Sequence, residues 1–304
     1  MTTSSSVSRR EFLAVAGALP LAARVLSAQA RQIPVGLELY SVRTELMKDL
    51  PGTVTAVAKM GYQVVEFYSP YFEWTAAAAK DVRTLLDDLG IACLSTHNSP
   101  ASFTADGLKK AIELNHAIGS KTIVLASSPG MTGLDSWKAL GERMTAAIET
   151  LRPLGMACGF HNHQTEWGGP VGQRPMDVLA ASTPKDFVLQ FDVGTCVEAH
   201  QDPVAWITAN PGRIKSVHCK DWGAGEDRGY AVAFGDGDVP WKAVRAAAEA
   251  TGGVEYFLIE QEIAGPDGQL AMAKKCLDNW KRMFARPGVA IQHPISSLPT
   301  PSPA

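Results

Sequence analysis

The sequence predicts an α/β protein folded as a (β/α)8 barrel. Three observations predict it: eight short apolar runs recur at intervals of 27 to 42 residues, helix-like stretches lie between them, and glycine repeatedly separates a stretch from the next run. Near-continuous hydrophobic strands alternating with amphipathic helices describe a parallel sheet covered by helices on its outside. Eight such units in about 250 residues match a closed barrel. An open doubly wound sheet is the alternative, but no Gly-rich phosphate loop follows the first run.

The runs begin at Val35 (VGLELY), Val64 (VVEFY), Ile91 (IACLSTH), Thr122 (TIVLAS), Ala157 (ACGFHNH), Phe187 (FVLQFDVG), Ile214 (IKSVHCKD) and Tyr256 (YFLIEQE). Apolar residues at three- and four-residue intervals predict helices over 49–60, 75–89, 104–118, 135–152, 203–209 and 239–250, with two more near 176–181 and 270–284. Thr75 and Thr104 stand where N-caps are needed. Gly61, Gly90, Gly119 and Gly155 stand just past helix ends, where a left-handed residue is favoured.

Residues 1–30 read as an address. Ser8-Arg9-Arg10-Glu11-Phe12-Leu13 precedes an apolar run and then Ala28-Gln29-Ala30, a small-x-small cleavage pattern. This resembles a twin-arginine signal and predicts export to the periplasm by the twin-arginine machinery. Its apolar run is shorter than the about 20 residues of a spanning helix. The domain expectation is therefore a signal peptide over 1–30, a catalytic barrel over 31–285 and a Pro-rich tail over 286–304. Removing the first segment takes away three Arg and one Glu, so the formal charge falls from -3 to -5. An acidic chain without Lys/Arg runs has no footprint for a phosphate backbone, which argues against nucleic acid. The five cysteines lack close pairs and read as small buried hydrophobes.

Barrel chemistry gathers at the C-terminal ends of the strands. Here the ends carry Glu38 and Tyr40, Glu66 and Tyr68, His97 and Asn98, Ser127 and Ser128, His161 and His163, Asp192, His218 and Lys220, and Glu260 and Glu262. Residues two apart on a strand share a face. His161, Asp192, His218 and Glu260 would offer two imidazoles and two carboxylates, a donor mix suited to a divalent transition ion.

In this order and spacing, GLELYSVR, GYQVVEFYSP, GFHNHQTEW, QFDVGTCVEAHQDPVAWI, SVHCKDW and FLIEQE resemble the sugar phosphate isomerase/epimerase family of the xylose isomerase-like TIM barrels. That group also contains endonuclease IV and the inosose dehydratases. The resemblance implies one divalent metal, Mn2+ first and otherwise Zn2+, Co2+ or Fe2+, held by Asp192, His218, Glu260 and, at strand five, His161. Many relatives have Glu-Asn-His where this chain has His161-Asn162-His163, which removes one carboxylate base. The implied chemistry is proton removal next to a carbonyl through a metal-stabilised enediolate. Glu260 is then ligand and base, His163 or Glu166 the second acid/base, and Lys220 an electrophilic partner. Glu38, Tyr40, Glu66, His97, Trp222 and Glu262 are expected to bind a small carbohydrate.

Blander roles stand beside these. Asp192 can simply cap a turn, His218 can be a bonded core histidine, and Glu38 and Glu66 can pair with Arg43. Trp74, Trp167 and Trp222 can stack on a sugar or pack their loops. The Gly- and Asp-rich segment 226–238 is expected as a lid. The expected function is a metal-dependent isomerase or epimerase of a free sugar, keto-sugar or glycoside. A 3-keto-glycoside lyase or dehydratase is the first alternative, and a non-catalytic sugar-binding barrel the second.

Overall fold

A computed structural model describes residues 33–128 and 130–285. Eight parallel strands close into a barrel in sequence order. They are β1 Val35–Glu38, β2 Val64–Phe67, β3 Ala92–Asn98, β4 Thr122–Leu125, β5 Ala157–His161, β6 Val188–Asp192, β7 Ser216–Cys219 and β8 Tyr256–Ile259. The crossover helices are α1 Leu50–Met60, α2 Ala76–Leu89, α3 Ala105–Ile118, α4 Gly133–Leu151, α5 Pro175–Ser182, α6 Pro203–Ala209, α7 Trp241–Ala247 and α8 Gln269–Met283. Each expected run contains its strand except the third, which β3 outruns by one residue, Asn98. The signal peptide and the Pro-rich tail lie outside the described residues. Among the described residues no helix is long and apolar enough to cross a membrane.

Helix ends follow local chemistry. Thr75 Oγ1 accepts from Ala78 N and Thr104 Oγ1 from Gly107 N, both at 3.1 Å. Gly61, Gly90 and Gly119 close α1, α2 and α3 at φ of 101°, 65° and 82°, a conformation that costs any residue with a Cβ. Periodicity missed two short helices, Arg43–Lys48 and Val193–Glu198, and several 3-10 turns after strands. One or two turns are too few to show a repeat. These turns build the rim of the mouth.

The main apolar layer lies between sheet and helices, where Leu37, Val65, Phe67, Phe160, Leu189, Phe191, Val217 and Ile259 are all buried. Each such side chain contributes about 1.5–3 kcal/mol of transfer free energy. Val64, Tyr256 and Leu258 form a separate buried cluster. Strand alternation puts these three on the same face as Glu66 and Glu260, inside the ring. The pairs Gly36–Glu38, Ser95–His97, Gln190–Asp192 and Ser216–His218 repeat that order, a neutral residue low in the ring and an ionisable one at the mouth. The five cysteines are buried free thiols, as their apolar surroundings predict.

Candidate active site at the barrel mouth

Strand register decides which side chains meet. Glu38 of β1 lies beside Glu66 of β2, and Asp192 of β6 beside His218 of β7. Four imidazoles crowd the same mouth. The His97 ring stacks on His218 at 4.9 Å between centroids, and His161 lies 4.4 Å from His218 and 5.0 Å from His163.

Glu66 is the hub. Its carboxylate accepts from Ser95 Oγ, from Gln190 Nε2 at 2.8 Å and from His218 Nε2 at 2.8 Å, and lies 3.1 Å from His97 Nε2. His218 Nδ1 faces Glu260 Oε2 at 2.6 Å. Burial works to lower His218, yet the carboxylates of Glu66 and Glu260 overcome it and push the ring up to about 10. His161 has no carboxylate in such contact, so burial and then the His218 and His97 rings hold it well below its ordinary value. Burial also lowers His163. Both rings are therefore neutral at pH 7.

Lys220 Nζ meets Glu262 and lies 3.4 Å from Glu260 Oε1. Burial works to lower its ammonium, but Glu260, Asp192 and Glu262 raise it further. Lys220 thus stays charged. Asp192 splits its two oxygens between roles. Oδ1 caps the Val193–Glu198 helix by accepting from Thr195 N at 3.0 Å, so the turn-capping reading holds for one oxygen. Oδ2 is buried without a hydrogen-bond partner, as is His161 Nδ1. Gly194 lets this turn pack on β7, because a Cβ there would sit 2.4 Å from the Lys220 carbonyl. Gly194→Ala is expected to cost about 1–3 kcal/mol through forced backbone shift. It should slow turnover by displacing Lys220, read from Tm and kcat together. A variant with parental Tm would show that the turn yields freely.

A cavity of about 510 Å³ opens over this floor, a size suited to a monosaccharide. Glu38, Tyr40, His97, His161, His163, Lys220, Glu260 and Glu262 line it as expected sites, joined by Tyr68 and Tyr230. Glu66, Asp192 and His218 are fully buried beneath them. Two expected residues are placed elsewhere. Glu166 is buried and spends its oxygens on Ser128 Oγ at 2.8 Å and on the His163 backbone N–H at 2.7 Å, so it positions the loop that carries His163. Trp222 is not among the cavity-lining residues.

Other expectations are redirected. Arg43 pairs with neither Glu38 nor Glu66; its guanidinium donates to the Tyr40 and Glu262 carbonyls and lies over the Tyr40 ring. Trp167 packs against Phe191 and Trp206, and Trp74 against Phe67 and Tyr71. The aromatic surfaces over the cavity are tyrosines instead. Segment 226–238 is pinned in place: Asp221 accepts from Gly235 N, Gly237 N and Trp241 Nε1, and Arg228 pairs with Asp238. It forms a fixed wall that presents Tyr230, whose hydroxyl bonds Glu198 at 2.5 Å and whose ring lies 5.0 Å from Lys220 Nζ. Tyr230 and Glu198 gave no periodic signal. Gln190 did, because it stands two residues before Asp192 on the same strand face.

A divalent cation fits this floor. The ligand atoms of His161, Asp192 and Glu260 lie within 4.8 Å of one another, and two of the three residues present buried atoms that lack partners. An imidazole with two carboxylates suits a divalent transition ion better than Ca2+.

Comparison with known proteins agrees with the architecture. An inosose dehydratase of Lacticaseibacillus casei is 27% identical, the match covering 54% of this chain and 66% of that protein. The chain thus spans just under two thirds of the length of that relative. A sugar phosphate isomerase/epimerase from Parabacteroides distasonis superposes with a TM-score of 0.68 at 23% identity, over 85% of this chain and 96% of its own. The IolI protein, solved with a bound zinc atom, superposes at 0.61 with 15% identity, over 84% of this chain and 100% of its own. At these identities the two solved structures speak for the fold alone. The xylose isomerase-like TIM barrel pattern matches residues 54–280, and the chain belongs to that family.

Proposed function

We propose that this chain is a divalent-cation-dependent lyase that removes water, or a glycosidic alcohol, from a keto-sugar or keto-polyol. The observation that carries the reading is the composition of the mouth. A cation-competent floor of His161, Asp192 and Glu260 lies under a cavity lined by His163, whose ring burial holds below its ordinary value. The dehydratase relative supports the same class of substrate.

A bound divalent cation supplies a Lewis acid for the carbonyl oxygen and its neighbouring hydroxyl. Everything else belongs to the chain. Glu66 takes the His218 Nε2–H, so Nδ1, which faces Glu260 Oε2 at 2.6 Å, is the nitrogen that would give up its proton to ligate a cation. His163, uncharged at pH 7, takes the proton from the carbon next to the carbonyl. Lys220, held by Glu260 and Glu262, presents a permanent positive charge toward the developing oxyanion. Tyr40, Tyr68 and Tyr230 offer faces to the ring of the substrate.

Isomerisation or epimerisation is the second reading. It is favoured by the placement of Glu38 on β1 and His163 after β5, opposite one another in an eight-stranded ring, where a proton can leave one face and return to the other. One experiment separates these: incubation of Mn2+-loaded protein with keto-polyols and 3-keto-glycosides in D2O. Growth of a conjugated ultraviolet chromophore supports the lyase. Deuterium uptake without loss of water or alcohol supports the isomerase, and saturable binding with neither supports a sugar-binding barrel.

Export is part of the same reading. Replacing Arg9 and Arg10 together by lysine is expected to leave the full-length precursor in the cytoplasmic fraction. Periplasmic, shortened protein from that variant would overturn it.

A further inference from the structure

Elimination of water needs an acid as well as a base, because hydroxide is a poor leaving group. We propose that Glu38, at the end of β1, is that acid. It gives its proton to the departing hydroxyl oxygen, and the Glu66 carboxylate faces it until then. The assignment rests on the lyase reading above.

The geometry distinguishes the two carboxyl groups. They are neighbours in register and both are fully buried, so two bare negative charges there would repel in a low-dielectric site. Glu66 is saturated with contacts from Ser95, Gln190, His97 and His218. Glu38 is poorly served: Oε1 accepts only a long bond from Tyr40 N at 3.4 Å, and Oε2 is buried with no partner. A proton shared by the pair therefore sits on Glu38. Burial first, and then the Glu66 and Glu260 charges, raise its carboxyl well above the ordinary range.

From β2 Glu38 is faced by Glu66, from β3 by His97 at 3.8 Å, from β7 by His218, with a ring nitrogen within 4.8 Å, and from β8 by Glu260. The His218 cation spends both ring nitrogens on the Glu66 and Glu260 carboxylates rather than on Glu38. His97 is turned through Nε2 to Gln190 and Glu66, and burial lowers it. Tyr40 follows on its own loop, and Tyr68 lines the same cavity. Arg43, the nearest cation in sequence, is turned away to the Tyr40 and Glu262 carbonyls. Glu38 also lines the cavity, whereas Glu66 lies beneath it. The acid thus reaches the substrate from the wall opposite the base.

The step balances without any redox partner. His163 takes the α proton, and the electron pair of that C–H bond becomes the new carbon–carbon double bond. The β C–O bond breaks with its pair on oxygen, that oxygen takes the Glu38 proton, and water leaves. A conjugated enone remains, Glu38 is a carboxylate, and solvent carries the proton of His163 back to it.

The test compares wild type with Glu38→Gln, both loaded with Mn2+, on a keto-sugar and on its β-fluoro analogue, whose leaving group needs no proton. Glu38→Gln is expected to lose about 10²- to 10⁴-fold in elimination of water. Fluoride release and α-proton exchange in D2O are expected to stay within a few-fold of wild type. The infrared band of a protonated buried carboxyl should vanish in the variant. Unchanged circular dichroism and one Mn2+ per chain in both proteins establish that the variant is folded and loaded. Equal loss on both substrates would overturn the assignment and make Glu38 a positioning residue; full activity on both would overturn it by showing that the reaction does not use Glu38. A second Mn2+ bound by wild type and lost in Glu38→Gln would overturn it too, because the pair would then be a cation site. In those three cases wild type still eliminates and the lyase reading stands. If wild type releases neither water nor fluoride, the lyase reading itself fails and the acid assignment falls with it.

Discussion

Glu66→Leu is expected to destabilise the cation-free barrel by about 3–5 kcal/mol, the cost of removing one partner from a buried ion pair. For a domain of this size that is a fall in Tm of roughly 6–20 °C. The reason is the number of groups that depend on one carboxylate: the Ser95 hydroxyl, the Gln190 amide and the His97 and His218 rings lose their acceptor together. Each buried donor left unpaired costs about 1–3 kcal/mol. Glu66→Gln keeps the shape but turns one acceptor into a donor facing other donors, so its expected loss is smaller and still clear.

The pH dependence carries the sign of the pair. Burial works to raise the Glu66 carboxyl, but His97 and His218 bring it from 4.5 down to about 2, so its contribution is present above 4.5 and is lost as pH falls toward 2. His218 is raised from 6.5 to about 10, so its contribution is complete below 6.5 and is lost as pH rises toward 10. The Tm gap between wild type and Glu66→Leu, measured on chelated protein, should be widest between pH 4.5 and 6.5 and narrow on both sides. A gap that does not change with pH would show that the charges are not what holds the hub.

Asp192→Ala is expected to abolish cation binding and to reduce turnover by about 10³-fold or more, which corresponds to roughly 4 kcal/mol of transition-state stabilisation. Asp192 Oδ2 is a buried oxygen on the floor with no competing hydrogen bond, so its removal deletes a donor that nothing nearby replaces. The variant also loses the cap on Thr195 N, at a cost of about 1 kcal/mol. Asp192→Asn separates the two effects, because its amide oxygen can still cap while the anionic ligand is gone. Elemental analysis of both variants beside wild type and chelated wild type is the measurement. Full metal occupancy in Asp192→Ala would remove Asp192 from the ligand set.

The comparison of expectation with structure is clearest residue by residue. His161, Asp192 and Glu260 were legible as a set because alternation along each strand and the position of strand ends are local properties, and the ring then forces all strand ends to one mouth. Gln190 was missed, although the same rule places it on the strand face of Asp192. Arg43, Glu166 and Trp222 were not legible. The Arg43 side chain is claimed by a carbonyl of the last loop and that of Glu166 by Ser128, while Trp222 does not line the cavity. Those competitors sit tens to hundreds of residues away.

By itself the sequence determined the period of strands and helices, the caps that bound them, and hence the closed barrel and the chemistry available at its rim. These follow from one-dimensional patterns, in which apolar spacing, Thr and Gly act within a few residues. Only the tertiary structure decided how that chemistry is divided. Glu66 meets Gln190 from 124 residues away and His218 from 152, and these contacts, set by strand register and ring closure, make it a saturated hub. The neighbouring Glu38, alike in type and in position on its strand, is left with an oxygen that nothing satisfies. In a buried site the partner, rather than the residue type, fixes the charge that a carboxyl group carries.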